Sequence, residues 1–342
     1  MNKKVWMVTG GAGFIGANFL RCMAQRHPRI TWVNVDAMTY AAHPEAIDEQ
    51  KQYANICFEK ADIVDRNAIR RIFTQYHING VIHFAAESHV DNSIASPEAF
   101  IRTNVQGTYV LLDVAHQAWR QWGELQENRF HHVSTDRVYG SLGSSGVFTE
   151  ETPYAPTNPY AVTKASSDFL AHSYFKTYGM NVTVSNCSNN FGPWQHGEKL
   201  IPTVIRCALE EKPIPLYGNG RNVRDWLWVR DHCDAIDRIM HHAKPGSRWN
   251  VGGSHRKSNI RIVHAICAIL DRILPRPQGS YADLITYVKD RPGHDFRYAM
   301  DASRIQKRLG WKPTDDFLIQ LRKTVLWYIV APHRYQKSVS VR

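Results

Sequence analysis

The first half of the chain alternates short runs rich in β-branched residues with longer stretches whose apolar positions recur at helical spacing. The runs Val5–Thr9, Thr31–Asp36, Ile56–Glu59, Val81–Ala85, Phe130–Ser134 and Val182–Asn186 predict strands. The intervening stretches predict helices near Phe14–Gln25, Arg66–Tyr76, Pro97–Trp122 and Tyr160–Tyr178. Near-continuous apolar strands separated by helices are the pattern of a parallel sheet covered on both faces. After Asn186 the rhythm breaks up, and turn residues crowd in at Gly192-Pro193, Gly218-Asn219-Gly220, Gly252-Gly253 and Arg291-Pro292-Gly293. The fold class predicted is α/β, a doubly wound parallel sheet with a smaller C-terminal substrate-binding domain. Residues 1–188 form the first domain, which the chain re-enters around 225–243. Residues 189–330 form the substrate domain, and 331–342 a basic, polar tail.

Composition removes several function classes. The 342 residues are 43% hydrophobic and 21% charged, ordinary for a globular chain. No window approaches the roughly 18 consecutive apolar residues of a membrane span, and Met1-Asn2-Lys3-Lys4 leads straight into a strand rather than a signal-peptide core. The six cysteines (Cys22, Cys57, Cys187, Cys207, Cys233, Cys267) show neither C-x-x-C pairs nor a disulfide framework. Free thiols in the cytoplasm are expected, with no membrane partner and no metal. The net charge of +11 is spread along the chain and often sits beside acids. A nucleic-acid binder would cluster it in a stripe. The excess therefore points away from nucleic acid and towards a small anionic substrate.

Gly10-Gly11-Ala12-Gly13-Phe14-Ile15-Gly16 is a G-x-x-G-x-x-G turn between a strand and a helix. Such a turn lets backbone N–H groups and the helix N-terminus approach a pyrophosphate. Asp36 lies 20 residues after Gly16, at the end of the second strand, where a carboxylate accepts from an adenosine ribose. These features make the sheet Rossmann-type and the first domain NAD-binding. Asp36 would repel a 2′-phosphate and Ala37 brings no charge to receive one, so NAD is favoured over NADP. Asp62 and Ile63, after the third strand, are placed to meet the adenine, and Ala85-Ala86-Glu87 to line the cofactor.

Tyr160 and Lys164 form Y-x-x-x-K at a helix start, on one helix face. A cation near a phenol favours phenolate, which makes Tyr160 a usable base. The preceding strand ends in Ser134-Thr135, whose hydroxyls can hold the same substrate oxygen. This order (glycine turn, Ser/Thr, Y-x-x-x-K) resembles the extended short-chain dehydrogenase/reductase superfamily. It implies that Tyr160 removes a hydroxyl proton as hydride passes to NAD.

Longer strings resemble the dTDP-glucose 4,6-dehydratase family over about residues 4–330. They include Ala85-Ala86-Glu87-Ser88-His89-Val90-Asp91, Asn186-Cys187-Ser188-Asn189-Asn190, Glu198-Lys199-Leu200-Ile201-Pro202 and Asp290-Arg291-Pro292-Gly293-His294-Asp295. The resemblance implies a hydro-lyase. Hydride leaves C4 of the glucose, the ketone acidifies C5–H, water is eliminated across C5/C6, and hydride returns to C6. It assigns Asp136 the acid role at C6, and Thr135 and Tyr160 the handling of O4, with Lys164 a catalytic partner of Tyr160. For the cofactor it implies Gly10, Gly13, Phe14, Ile15, Gly16, Asp36, Thr39, Asp62, Ile63, Ala85, Glu87, Thr103 and Asn190. For the nucleotide sugar it implies Ser88, Asn189, Lys199, Leu200, Pro215, Tyr217, Arg224, Asn259, Arg291 and His294. A homodimer is expected through the helices Pro97–Trp122 and Tyr160–Tyr178.

The chain departs from the family's pattern in two places. The family carries Asp-Glu after the threonine, and that Glu takes the C5 proton; here the string reads Thr135-Asp136-Arg137. A guanidinium stays protonated and cannot serve as the base. Four readings follow: a base from the neighbouring loop (Glu198 or His196), a C4-oxidising enzyme of epimerase type with impaired dehydration, recognition of an anionic C6 group by Arg137, or a non-catalytic NAD-binding homologue or substituted chain. A second departure is Ala37 and Ala42, where the family usually has Lys and Gly.

Overall fold

The structure, a computed structural model, describes residues 4–290 and 295–331. Seven parallel strands form the central sheet: β1 (Val5–Thr9), β2 (Thr31–Asp36), β3 (Ile56–Lys60), β4 (Gly80–His83), β5 (Arg129–Thr135), β6 (Val182–Cys187) and, far along the chain, Arg248–Val251. The first six pair in the order β3-β2-β1-β4-β5-β6, and Arg248–Val251 adds outside β6, with Val251 opposite Cys187. The strand order reverses between β1 and β4. A crevice opens there at the carboxyl ends of the strands, the place where doubly wound sheets bind ligands.

Each sheet face is closed by its own apolar layer. On one side Met7, Val33, Val81 and Phe130 pack with Ile69, Phe73, Leu111 and Trp119 of the helices Arg66–Tyr76 and Thr108–Trp122. On the other, Trp6, Val8 and Trp32 meet Phe19, Cys233 and Ile236 from the helices Phe14–Arg26 and Val229–His242. The second helix of that pair comes from late in the chain, just before the segment that supplies the seventh strand. A separate core gathers Phe191, Ile205, Leu216, Trp228, Ile266, Leu270 and Leu321. It lies between the helices Leu200–Leu209, Asn259–Ile273 and Phe317–Val330 and two small sheets. β7 (Asn189–Phe191), β9 (Val223–Trp228) and His255–Ser258 make one; β8 (Ile214–Tyr217) pairs with Ile285–Val288 in the other.

The predicted single helix Pro97–Trp122 is a short helix Glu98–Phe100, a π-helical segment Ile101–Gly107 and the α-helix Thr108–Trp122. The wide turn has a local cause. Asn104 is held by Glu87 N and O and by Thr163 Oγ1, and Gly107 leaves room for Ile63, whose Cδ1 would lie 2.5 Å from an added Cβ. Inserted residues of this kind recur at functional sites. Among the described residues no helix is long and apolar enough to cross a membrane.

Candidate active site

The crevice is a cavity of about 750 Å³. The residues named from the sequence for catalysis, cofactor and nucleotide sugar line it, except Arg291 and His294, which lie outside the described residues.

At its inner end the glycine turn runs from β1 into the helix Phe14–Arg26. Gly10 adopts φ +74°, and a Cβ on Gly16 would stand 2.2 Å from Gly10 O, so no larger residue fits this turn. Gly13 occupies the N-cap with no side-chain cap, leaving the first-turn N–H groups open to an anion. Asp36 sits beside the turn, its carboxylate accepting from Ala12 N (2.9 Å) and Met38 N (2.8 Å). Burial raises its pKa, and those two N–H groups oppose the shift. Asp62 pairs with Arg102 at 3.0 Å. Sequence reasoning misses Arg102, whose only signal is a position at the head of a helix. These residues fit a dinucleotide: open N–H groups for pyrophosphate, a buried acceptor for ribose, and an Asp36 whose recorded partners are backbone N–H groups rather than a cation that could take a 2′-phosphate.

The reactive end is built where β5 stops. Thr135 is its last residue; its Oγ1 accepts from Arg137 N (3.3 Å) and donates to Asp136 Oδ1 (3.2 Å), turning the chain into the short helix Asp136–Tyr139. From the opposite side comes the helix Pro159–Tyr178. Asn158 caps it by accepting from Ala161 N (3.0 Å), and Pro159 occupies the first helical position. The helix is thereby fixed to start one residue before Tyr160, and Lys164 follows a turn later on the same face.

Tyr160 and Lys164 share the cavity with a second cation, Arg137, that the Y-x-x-x-K spacing does not reveal. Lys164 Nζ donates to Val133 O (2.9 Å), and burial lowers its pKa to about 8 while the charge of Asp168 opposes the shift. Burial also raises Tyr160. The strongest opposing influence there is the charge of Arg137. Arg137 is half-buried in the cavity wall, its guanidinium 5.3 Å over the Tyr298 ring, on which Arg224 stacks from 4.8 Å. Asp136 is 2% exposed. Burial raises its pKa to about 7, against the lowering charges of Arg137 and Arg224.

Behind Lys164 lies a buried network that spacing rules do not reveal. Asp168 accepts from Tyr154 Oη (2.7 Å) and Asn186 Nδ2 (3.0 Å), and His132 Nε2 lies 3.2 Å from its other oxygen. Burial would raise the Asp168 carboxyl, but His132, Lys164 and Tyr154 together bring it below the usual range.

Asn189 and Asn259 also line the cavity, and their Oδ1 atoms are buried with no hydrogen-bond partner among the described residues. Asn190 is already engaged, through Ser188 O and His232 Nδ1. Arg224 directs part of its fork at the main chain, to Val223 O and Asp295 O, both 2.9 Å away. Glu198 is held by His89, His196 and Lys199 at 3.2–3.5 Å. Burial notwithstanding, these partners bring its pKa down to about 2. An anion so strongly stabilised is a poor base, which disfavours it as a substitute at C5.

Comparison with known proteins agrees with this geometry. A family model described as GDP-mannose 4,6 dehydratase matches residues 7–324. A dTDP-glucose 4,6-dehydratase of Salmonella typhimurium is 48% identical over 334 residues, 94% of this chain and 92% of that protein. One from Neisseria meningitidis is 49% identical over 329 residues, covering 94% and 92%. The chain belongs to the dTDP-glucose 4,6-dehydratase family. Among solved members, the Streptomyces venezuelae dTDP-glucose 4,6-dehydratase with NAD and TYD bound has TM-score 0.88 and 38% identity, covering 97% of this chain and 99% of that one. The Bacillus anthracis enzyme in complex with NAD has TM-score 0.86 at 38% identity, covering 97% and 98%. Sugar-nucleotide 4-epimerases at 23–24% identity share the fold. Arg137 thus stands in a chain of this family, in one cavity with Thr135, Asp136, Tyr160 and Lys164.

Proposed function

We propose that the chain is an NAD-dependent hydro-lyase that converts dTDP-glucose to dTDP-4-keto-6-deoxyglucose and water. The observation that carries this reading is the juxtaposition of Thr135, Asp136 and Tyr160 in the cavity that also holds the glycine turn and Asp36. When bound, NAD accepts hydride from C4 and gives it back at C6, so none is consumed. Tyr160 takes the O4 proton, with Arg137 and Lys164 keeping its surroundings cationic. Asp136, poised near neutrality by burial, supplies the acid that turns the C6 hydroxyl into a leaving water. Asn189, Asn259, Lys199 and Tyr217 orient the nucleotide and sugar, and a generally basic surface favours the arrival of an anion.

The working unit is a homodimer in the cytoplasm. Ile101 (55% exposed), Tyr109, Phe169 (62% exposed) and Tyr178 stand out on the helical segments Ile101–Gly107, Thr108–Trp122 and Pro159–Tyr178 over the first of the two core layers, an apolar face suited to a second copy. A sedimentation mass of one chain would rule this out. The six cysteines are unpaired, as suits a reducing compartment.

Incubation with dTDP-glucose is expected to yield a 4-keto-6-deoxy sugar, seen as strong absorbance after addition of alkali. If none forms, but the bound nicotinamide is reduced, the chain is a C4 oxidase or epimerase instead.

A further inference from the structure

Resting on that activity, we propose that Asp136 performs both proton transfers of the elimination, as base at C5 and then as acid at O6, and that the Thr135 hydroxyl relays to it the proton that Tyr160 removes from O4. Three observations lead there. The position next to Asp136 holds a guanidinium, which cannot accept a proton. The carboxylate of the neighbouring loop, Glu198, is bound by His89, His196 and Lys199. Asp136 itself lines the cavity, with Oδ2 lacking any hydrogen-bond partner among the described residues and Oδ1 accepting from Thr135 at 3.2 Å.

The proton count closes with these groups alone. The cycle requires Tyr160 as phenolate and Asp136 as carboxylate, and the charge of Arg137 acts on both in that direction. Tyr160 takes the O4 proton as the C4–H electron pair departs as hydride, leaving a ketone at C4. Asp136 takes the C5 proton. The electron pair left on C5 forms the C5=C6 double bond as the C6–O bond breaks, and Asp136 passes its new proton to that oxygen. Water leaves, and Asp136 is a carboxylate again. Hydride then adds at C6, and the electron pair of the C5=C6 bond becomes an enolate with the C4 ketone. That enolate needs one proton at C5, and one proton is still on Tyr160. Transfer from Tyr160 to Thr135, from Thr135 to Asp136 and from Asp136 to C5 delivers it. Every group is back in its starting state, and the sum is substrate to 4-keto-6-deoxy sugar plus water. With two separate residues, Tyr160 would end each turnover with an extra proton and the acid would end short of one. The Thr135 bridge makes an exchange with solvent unnecessary.

In this scheme Arg137 is a positioning residue. Fixed over the Tyr298 ring, it holds the neighbouring anions without touching the transferred proton. The charged and titratable groups facing Asp136 are Arg137, Arg224, Asp225, Tyr160, Tyr298 and Cys187.

The test is the Asp136→Asn variant of the full chain, given dTDP-glucose in deuterium oxide. The nicotinamide should be reduced, which shows that the variant folds and oxidises C4. Product formation should fall by about 10³-fold, and the sugar recovered should carry no deuterium at C5. Deuterium at C5 with the C6–O bond intact would mean that another base works there, and would overturn the proposal. If the variant reduces no nicotinamide, the wild-type enzyme decides. Its single-turnover elimination rate should rise with pH through one ionisation to a plateau, whereas a bell with a falling alkaline limb would require a separate acid and contradict a single carboxylate. A wild-type enzyme that forms no 4-keto-6-deoxy sugar refutes the dehydratase reading itself, a different result from either.

Discussion

Tyr160→Phe is expected to lower turnover by about 10³-fold and to leave the nicotinamide oxidised when substrate is added. The ring stays, so the packing against Phe100 at 6.4 Å is kept and substrate affinity should change little. What is lost is the group placed to take the O4 proton under the influence of the Arg137 charge. Burial raises this phenol, so its basicity at neutral pH depends on the cations around it. Arg137→Met should therefore shift the ascending limb of C4 oxidation to higher pH in the same assay. A Tyr160→Phe variant that reduced the nicotinamide at more than about a tenth of the normal rate would remove Tyr160 from the chemistry.

Asp168→Ala is expected to cost about 3–5 kcal/mol of stability, the usual cost of removing one member of a buried ionic cluster. Asp168 is 4% exposed and is shared by Tyr154, Asn186 and His132. Without it, the Lys164 ammonium keeps Val133 O but loses the anion that supports its charge. The direction of the pH effect follows. Lys164, already lowered to about 8 by burial, would fall further and be neutral over more of the neutral range, so activity near pH 7 should drop as well. Asp168→Asn, which keeps a hydrogen-bonding oxygen for Tyr154, should cost less. Urea denaturation midpoints of the three proteins measure the difference; a loss under about 1 kcal/mol for the Ala variant would show that the cluster is not stabilising.

Strands buried on both faces write themselves into sequence as β-branched runs, and β1 to β6 are therefore legible to within two residues. The seventh strand is not. Arg248-Trp249-Asn250-Val251 is four residues long, half polar and followed by Gly252-Gly253; only its pairing with β6 makes it a strand. The predicted fourth strand runs two residues past β4 because Phe84 and Ala85 look like strand. The chain instead turns out over the glycine loop, with Phe84 N bonded to Thr9 O and Gly10 packed on Ala85. The stretch after Asn186 looks loop-rich in sequence, yet it carries helices such as Asn259–Ile273, with Ile262, Val263, Ile266 and Leu270 on its buried face. That periodicity is present but is masked by the glycines and prolines between the elements. In the site, residues bound by motif spacing are legible. Arg102, Tyr298 and the group around Asp168 are not, because they come from distant elements and only tertiary packing brings them together. The expected Lys164–Tyr160 electrostatic partnership likewise involves Arg137, which no spacing rule connects to Tyr160.

The most direct test of the central claim uses dTDP-glucose carrying deuterium at C4, mixed with an equal amount of substrate that is labelled only with carbon-13, and analyses the product by mass spectrometry and NMR. One hydride shuttled within one cavity places the deuterium in the C6 methyl group of the same molecule that lost it from C4, with none crossing to the carbon-13 molecules. Deuterium retained at C4, lost to solvent or scrambled between molecules would contradict oxidation and return at the Tyr160 site.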